Sequence, residues 1–246
     1  MFIVIKLINM SIKNKYSVKS IDNYLCKDWL LHKHYAKRIP SISYAFGLFN
    51  ELNVLNGIVC YGRPVAHTLV KNAFNGKYQE QFLELNRLVV NEGLEKNTLS
   101  FFVSESLKML PKPQVIVSYA DSSQNHNGYI YQATNWFYTG LSAEFKDYMV
   151  KGLEHMHSAS IMDKVGRSDG ENGHINKVEL LKMKFGEENI YMVDRPRKHR
   201  YFYFLGNKNE VKKMKELLKY KQEPYPKGEN KRYDASYKPK IQTQLF

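Results

Sequence analysis

Cysteine is almost absent from this chain: Cys26 and Cys60 are the two among 246 residues. Two thiols cannot make a disulfide framework, so a reducing cytoplasm is the default compartment. No apolar run is long enough to cross a bilayer. The opening MFIVIKLINM is short against the ~20 residues that a spanning helix needs. It also lacks a small-residue cleavage site, so it is expected to form a first β-strand and not a signal peptide. Internal repeats, low-complexity tracts and compact ligand motifs of the H-x-D type are missing. Acidic residues are sparse, with 24 Asp and Glu against 37 Lys and Arg.

What is present is a net charge of +13, unevenly placed. Residues 1–40 hold 8 basic against 2 acidic side chains, residues 41–194 hold 14 against 17, and residues 195–246 hold 15 against 5. A near-neutral middle is thus flanked by two basic ends. Basic ends interleaved with tyrosine point to a polyanion, most often nucleic acid; the alternative is charge kept for solubility. Aromatic residues make up 13% of the chain, which argues against disorder throughout.

The stretch VIVSYADSSQNHNGYIYQATNWFYTG, Val115 to Gly140, organises the rest. Val115–Ala120 reads as a buried strand, Asp121–Asn127 as a polar loop, and Gly128–Asn135 as two turns of helix. A second strand follows at Trp136–Thr139, ended by Gly140. Ligands commonly sit beyond the carboxyl ends of strands, where helix N-termini offer free N–H groups. An ordinary strand, solvated loop and helix is the plainer reading of the same pattern.

Along the chain, Ile21–Arg38 reads as a helix stopped by Pro40. Its end, HKHYAKRIP, gathers His32, His34, Tyr35, Lys37 and Arg38. Ile42–Glu51 and Leu55–Tyr61 form a hairpin, with Gly57 marking a bulge. Gly62 and Pro64 take the backbone out of the sheet, and His67 falls in the loop beyond. Phe82–Val90 is a strand whose alternation puts Glu84, Asn86 and Leu88 on one face and Leu83, Leu85, Arg87 and Val89 on the other. Its polar members are either paired structural residues or site residues. After a turn containing Gly93, Asn97 or Thr98 can cap a helix running to Leu110, along which Ser100, Ser104 and Ser106 lie. Past Gly140 the pattern of Lys151–Asp163, with His155 and His157, does not decide between strand and loop. Gly166–Gly173 is a polar turn and Val178–Phe185 a short helix. Tyr201–Leu205 is a strand, led in by Arg195, Arg197, Lys198 and Arg200. That cluster is the candidate phosphate clamp, with Lys37 and Arg38 as further nucleic-acid contacts. Asn209–Tyr220 is a basic amphipathic helix, followed by an extended or disordered tail. The expected division is a catalytic domain at 1–206 and a basic helix with tail at 207–246.

This order of elements resembles the GCN5-related acetyltransferase fold: an α/β (α+β) domain with a mixed, largely antiparallel sheet flanked by helices. The resemblance implies an acetyl-CoA-type acyl donor held between strand and helix by Leu88, Val90, Gly93, Asn97 and Thr98. The fold's glycine-rich pyrophosphate loop is reduced here to Gly93. It also implies that Tyr131, five residues before Trp136, is a general acid, a role open to a phenol of pKa ~10. More specifically, LELNRLVV, SFFVSESLKMLP, the Val115–Gly140 stretch and DRPRKHRYFYFLG together resemble the Mom family of phage DNA-modification proteins. That resemblance implies carbamoylmethylation of the exocyclic amine of adenine in double-stranded DNA, shielding phage DNA from restriction in the host cytoplasm. The catalytic residues it implies are Tyr131, Asp121, His34, Tyr35 and Ser106. It further implies a bound iron, for which His34, Asp121 and His126 are the donors. An N-acetyltransferase acting on a protein, RNA or small amine, and a DNA-binding protein without chemistry, remain as alternatives.

Overall fold

Apolar β-branched and aromatic residues dominate Phe82–Val90, Gln114–Asp121 and Lys198–Leu205, and these segments form the middle of a seven-stranded sheet. In this computed structural model the described residues are 11–154, 156, 158–165 and 176–228. The expected strand at 1–10, the turn at 166–173, His155, His157 and the tail beyond Gly228 lie outside them.

Four strands run as an antiparallel meander: β1 (Tyr16–Ser20), β2 (Tyr44–Asn50), β3 (Leu55–Gly62) and β4 (Phe82–Val90). Between β3 and β4 lies α2 (His67–Ala73), and a short α1 (Ile12–Lys15) precedes β1. β4 is joined to the parallel β5 (Gln114–Asp121) by α3 (Thr98–Met109). α4 (Tyr129–Ala133) leads to β6 (Phe137–Leu141), and β9 (Lys198–Leu205) inserts antiparallel between β5 and β6. The order is β1-β2-β3-β4-β5-β9-β6, with one parallel pair among antiparallel ones. This is the mixed, largely antiparallel, helix-flanked sheet expected from the sequence.

One core joins Phe46, Leu48, Leu83 and Leu85 of the sheet to Phe102, Val103 and Leu107 of α3 and Tyr131 of α4. A second packs Phe82, Val115, Val117, Phe202 and Phe204 against α2 and against Met214 and Leu218. Met214 belongs to α7 (Lys208–Leu217), whose N-terminus carries a full capping box between Asn207 and Glu210. The chain beyond α7 covers the β6 edge: Glu223 N–H donates to the Tyr138 carbonyl (3.0 Å) and Tyr225 OH to that of Trp136 (2.7 Å).

Residues Ser142–Arg197 form a separate compact unit. Within it β7 (Phe145–Val150) pairs antiparallel with β8 (Ile190–Arg195), and α5 (Ser158–Val165) and α6 (Lys177–Phe185) supply a small core of Val150, Ile161 and Leu181.

Several local expectations change. The helix expected over Ile21–Arg38 is a 3₁₀ turn at Asn23–Cys26 and a π turn at Trp29–Lys33, ending at His34. His67, expected in a loop, opens α2. Part of the undecided 151–163 stretch is α5. Asn97 stands at the N-cap of α3 in the left-handed region (φ 71°), without a side-chain cap bond. The alternation of β4 is broken, because Cys60 pairs with Arg87 but Tyr61 with Leu85, leaving Asn86 as a bulge. Leu83 and Leu85 before the bulge and Leu88 and Val90 after it therefore pack on the same core. Asn86 and Arg87 both fall on the opposite side from these four.

Candidate active site

The site is built at a fork in the sheet. β4 and β5 pair from Phe82↔Val115 to Glu84↔Val117, and there the pairing stops although both strands continue. Just beyond the last rung a side chain replaces the ladder: Ser118 Oγ donates to the Leu85 carbonyl at 2.8 Å. The same oxygen lies 2.7 Å from Tyr131 OH. A serine has one hydroxyl proton, and a carbonyl can only accept. With that proton on Leu85 O, Tyr131 must donate to Ser118. Tyr131 is buried between Trp136 and Tyr201, with ring centroids 5.0 and 5.1 Å away. Burial pushes its phenol up to about 12, so it is neutral near pH 7.

Asp121 ends β5. Its Oδ1 accepts from Ser123 N–H (3.0 Å) and Ser123 Oγ (2.7 Å), and its Oδ2 is 3.4 Å from Lys198 Nζ at the start of β9. The turn Ser122–Asn125 follows, and His126 N–H closes it onto the Asp121 carbonyl at 3.2 Å.

His34 is presented by the end of the π turn, where its N–H donates to Trp29 O (2.9 Å). It is buried, and its Nδ1 accepts from Ala36 N–H at 3.0 Å. Burial first, then the charges of Arg87, His126 and Lys198, bring its pKa down to about 3. The ring is therefore neutral and carries its proton on Nε2. Tyr35 stacks on it at 4.4 Å, and His126 meets Tyr35 edge-to-face at 6.4 Å. Burial also lowers the pKa of His126, against the opposing pull of Asp121.

Two residues of this neighbourhood were visible in the sequence only as polar members of a core strand. Glu84 stands at the last rung of the fork. Burial raises its pKa, while a backbone bond from Val65 and the charges of Arg87 and Lys198 pull it down. Burial lowers the pKa of Arg87. Its Nη1 donates to the Asn86 carbonyl at 2.6 Å, while its Nε and the Oδ1 of Asn86 are buried without a partner. The interruption of β4 alternation by charged residues was the available signal.

Tyr131, Asp121, His34, Tyr35, His126 and Lys198 are thus linked, directly or through Ser118, Glu84 and Arg87. Ser106 is elsewhere, fully buried, with its Oγ donating to Val103 O (2.9 Å) and standing 2.7 Å from Tyr61 OH. Leu88 and Val90 pack against the main core. Gly93 (φ 75°) lies in the turn before α3, and Thr98 is fully buried with an unpartnered Oγ1 at the first position of that helix. The side chains of the basic cluster are divided among several partners. Arg195 pairs with Asp147, and Arg197 with Ser142 O (2.7 Å) and Glu144 (3.5 Å), all within the Ser142–Arg197 unit. Arg200 lies over the Tyr220 ring at 3.7 Å and donates to Thr139 Oγ1 at 2.9 Å. Lys37 is exposed, in the left-handed region (φ 43°), and Arg38 is half-buried.

The proposed iron donors do not fit a metal. Among the described residues no group of three or more His, Cys, Asp or Glu is placed to hold one. The lone pair of His34 Nδ1 is taken by Ala36 N–H, so Nε2 carries the proton and cannot ligate. Arg87 and Lys198 beside the ring disfavour a further cation.

Comparison with known proteins gives relatives of two kinds. Among solved structures, the spermidine/spermine N-acetyltransferase SpeG of Vibrio cholerae, crystallised with manganese ions, is 8% identical, with a TM-score of 0.41 over 79% of this chain and 95% of that one. The Salmonella typhimurium protein yncA, solved with its cofactor acetyl-CoA, is 9% identical, with a TM-score of 0.40 over 78% of this chain and 95% of its own. In sequence, the methylcarbamoylase Mom of Escherichia phage Mu is 26% identical over 215 residues, covering 85% of this chain and 83% of that protein. The match to the Mom protein family itself runs over residues 15–227, from the end of α1 to the segment that covers β6, and the chain belongs to that family.

Proposed function

We propose that this protein is a DNA-modification enzyme, a transferase that attaches a carbamoylmethyl-type group to the exocyclic amine of adenine in duplex DNA and so shields phage DNA from restriction in the host cytoplasm. The observation that carries the reading is the family match across the whole sheet, including every residue of the fork. The phage Mu relative is named a methylcarbamoylase.

The chemistry at the fork suits that reaction. An exocyclic amine must lose a proton as its new N–C bond forms. Asp121, fixed by Ser123 and Lys198, offers a carboxylate that accepts a hydrogen bond from the amine and takes that proton. Tyr131 supplies a neutral phenol as the acid for a leaving group. Glu84 and Arg87 add a carboxyl group and a guanidinium that interact electrostatically with each other. Adenine within a duplex is out of reach, so the base must be extruded. The basic residues outside the near-neutral middle supply phosphate contacts for that step. The donor, which must carry the transferred group on a leaving group, would be held at the turn before α3, where Gly93, Asn97 and the unpartnered Thr98 Oγ1 lie at a helix N-terminus.

The test is digestion of DNA from cells expressing the protein, followed by nucleoside mass spectrometry. A heavier adenine nucleoside supports the reading. Unmodified DNA beside acetylated protein or RNA replaces it with an ordinary N-acetyltransferase.

A further inference from the structure

We infer that Tyr35, backed by His34, is the platform on which the extruded adenine stacks, an assignment that rests on the DNA-adenine reading above. The backbone under Tyr35 is pinned at three points: His34 N–H to Trp29 O (2.9 Å), Lys37 N–H to His34 O (3.0 Å) and Ala36 N–H to His34 Nδ1 (3.0 Å). The imidazole of His34 is buried, and the Tyr35 ring lies on it at 4.4 Å with 28° between the planes. Tyr35 itself is 37% exposed. One ring is thus fixed in the protein, and the ring stacked on it reaches solvent in an orientation already set. Such a ring loses little freedom when a flat ligand covers it.

Its position fits a nucleobase. Tyr35 acts electrostatically on both Tyr131 and Arg87, so it borders the fork. His126, from the loop that begins at Asp121, meets it edge-to-face at 6.4 Å. Burial, helped by the charges of Arg87, His126 and Lys198, holds His34 uncharged, so the stack is a neutral π surface beside charged groups. Stacking is blind to base identity. The ring therefore supplies affinity for the extruded base, and acceptors such as Asp121 Oδ2 supply the contact to an exocyclic N–H.

The test uses the full-length protein and a duplex with a single 2-aminopurine opposite an abasic site, a base released from pairing in any sequence context. Stacking of 2-aminopurine on an aromatic ring quenches its fluorescence. Wild-type protein is expected to bind and quench. Tyr35→Leu should weaken binding roughly 5- to 150-fold, the range for one base stacked on one aromatic, and leave the probe bright. Tyr35→Trp should restore both. If Tyr35→Leu does not fold, Tyr35→His, with a smaller ring, should give an intermediate loss. Wild-type affinity and quenching in the folded Leu or His variant would overturn the platform. If such a variant keeps both yet yields no modified nucleoside, Tyr35 acts in the chemistry instead, and the DNA reading stands without the platform. A wild-type protein that neither binds this duplex nor modifies DNA overturns both.

Discussion

Two substitutions at the fork should separate stability from chemistry. The proton order derived above runs from Tyr131 OH to Ser118 Oγ and from Ser118 to the Leu85 carbonyl. Tyr131→Phe removes one donor and leaves Ser118 bonded to Leu85, so its cost is that of one hydrogen bond, ~0.5–1.5 kcal/mol. Ser118→Ala strands two buried groups, the Tyr131 hydroxyl and the Leu85 carbonyl, each at ~1–3 kcal/mol. The serine change should therefore be the more damaging, by about 1 kcal/mol or more, which in a domain of this size lowers Tm by ~2–4 °C per kcal/mol. The double variant should be less damaged than the sum, because with Tyr131→Phe in place there is no hydroxyl left to strand. Activity should rank the other way in the folded fraction: Tyr131→Phe loses ~10²–10⁴-fold, the usual loss for an acid–base group. Melting curves and nucleoside counts on the same preparations check this. A Tyr131→Phe protein that melts below Ser118→Ala would refute the proton order, and one with full activity would remove Tyr131 from the mechanism.

Burial depresses the pKa of His34 to about 3, below the ~6.5 of an unfolded chain. Between those values the unfolded state binds the extra proton, so stability should fall as pH drops from ~6.5 towards 3, by up to ~1.4 kcal/mol per pH unit; denaturant titrations of wild type and His34→Gln should show a shallower acid limb in the variant, and identical limbs would count against the buried neutral ring. Arg200→Gln removes the contact with Tyr220 and the bonds to Thr139, so it should lower Tm and leave the salt slope of DNA binding unchanged; a slope smaller by ~0.9 would instead mark Arg200 as a phosphate contact. Gly62→Ala would put a Cβ 1.9 Å from the Ser41 carbonyl oxygen, so the backbone must move and the protein should lose ~1–3 kcal/mol or more in a urea titration; an unchanged midpoint would deny that close approach.

The strands at the fork were legible because apolar and β-branched residues crowd Phe82–Val90 and Val115–Ala120, and a buried strand needs them whatever surrounds it. Asp121, His126 and Tyr131 were legible for a related reason, since they follow one of those strands directly. The bulge at Asn86 was not, because it depends on how β3 registers against β4 and neither strand alone encodes that. For the same reason Arg87 was read as one more residue in an alternating strand. How the basic run Arg195–Arg200 is shared out was not legible, because its partners are distant in sequence: Asp147 and Glu144 for the arginines of the second unit, Asp121 for Lys198. That unit was the least legible part. Its core of Val150, Ile161 and Leu181 is small, so few positions show periodicity.

In the proposed reaction Asp121 and Tyr131 face an adenine while a group is transferred to its exocyclic amine. The most direct test is nucleoside mass spectrometry of DNA from cells carrying wild type, Asp121→Ala or Tyr131→Phe, each confirmed as folded by its melting curve. A heavier adenine nucleoside is expected with wild type, and its loss in both variants. Adenine of unchanged mass with the folded wild type, or full modification with both variants, would contradict it.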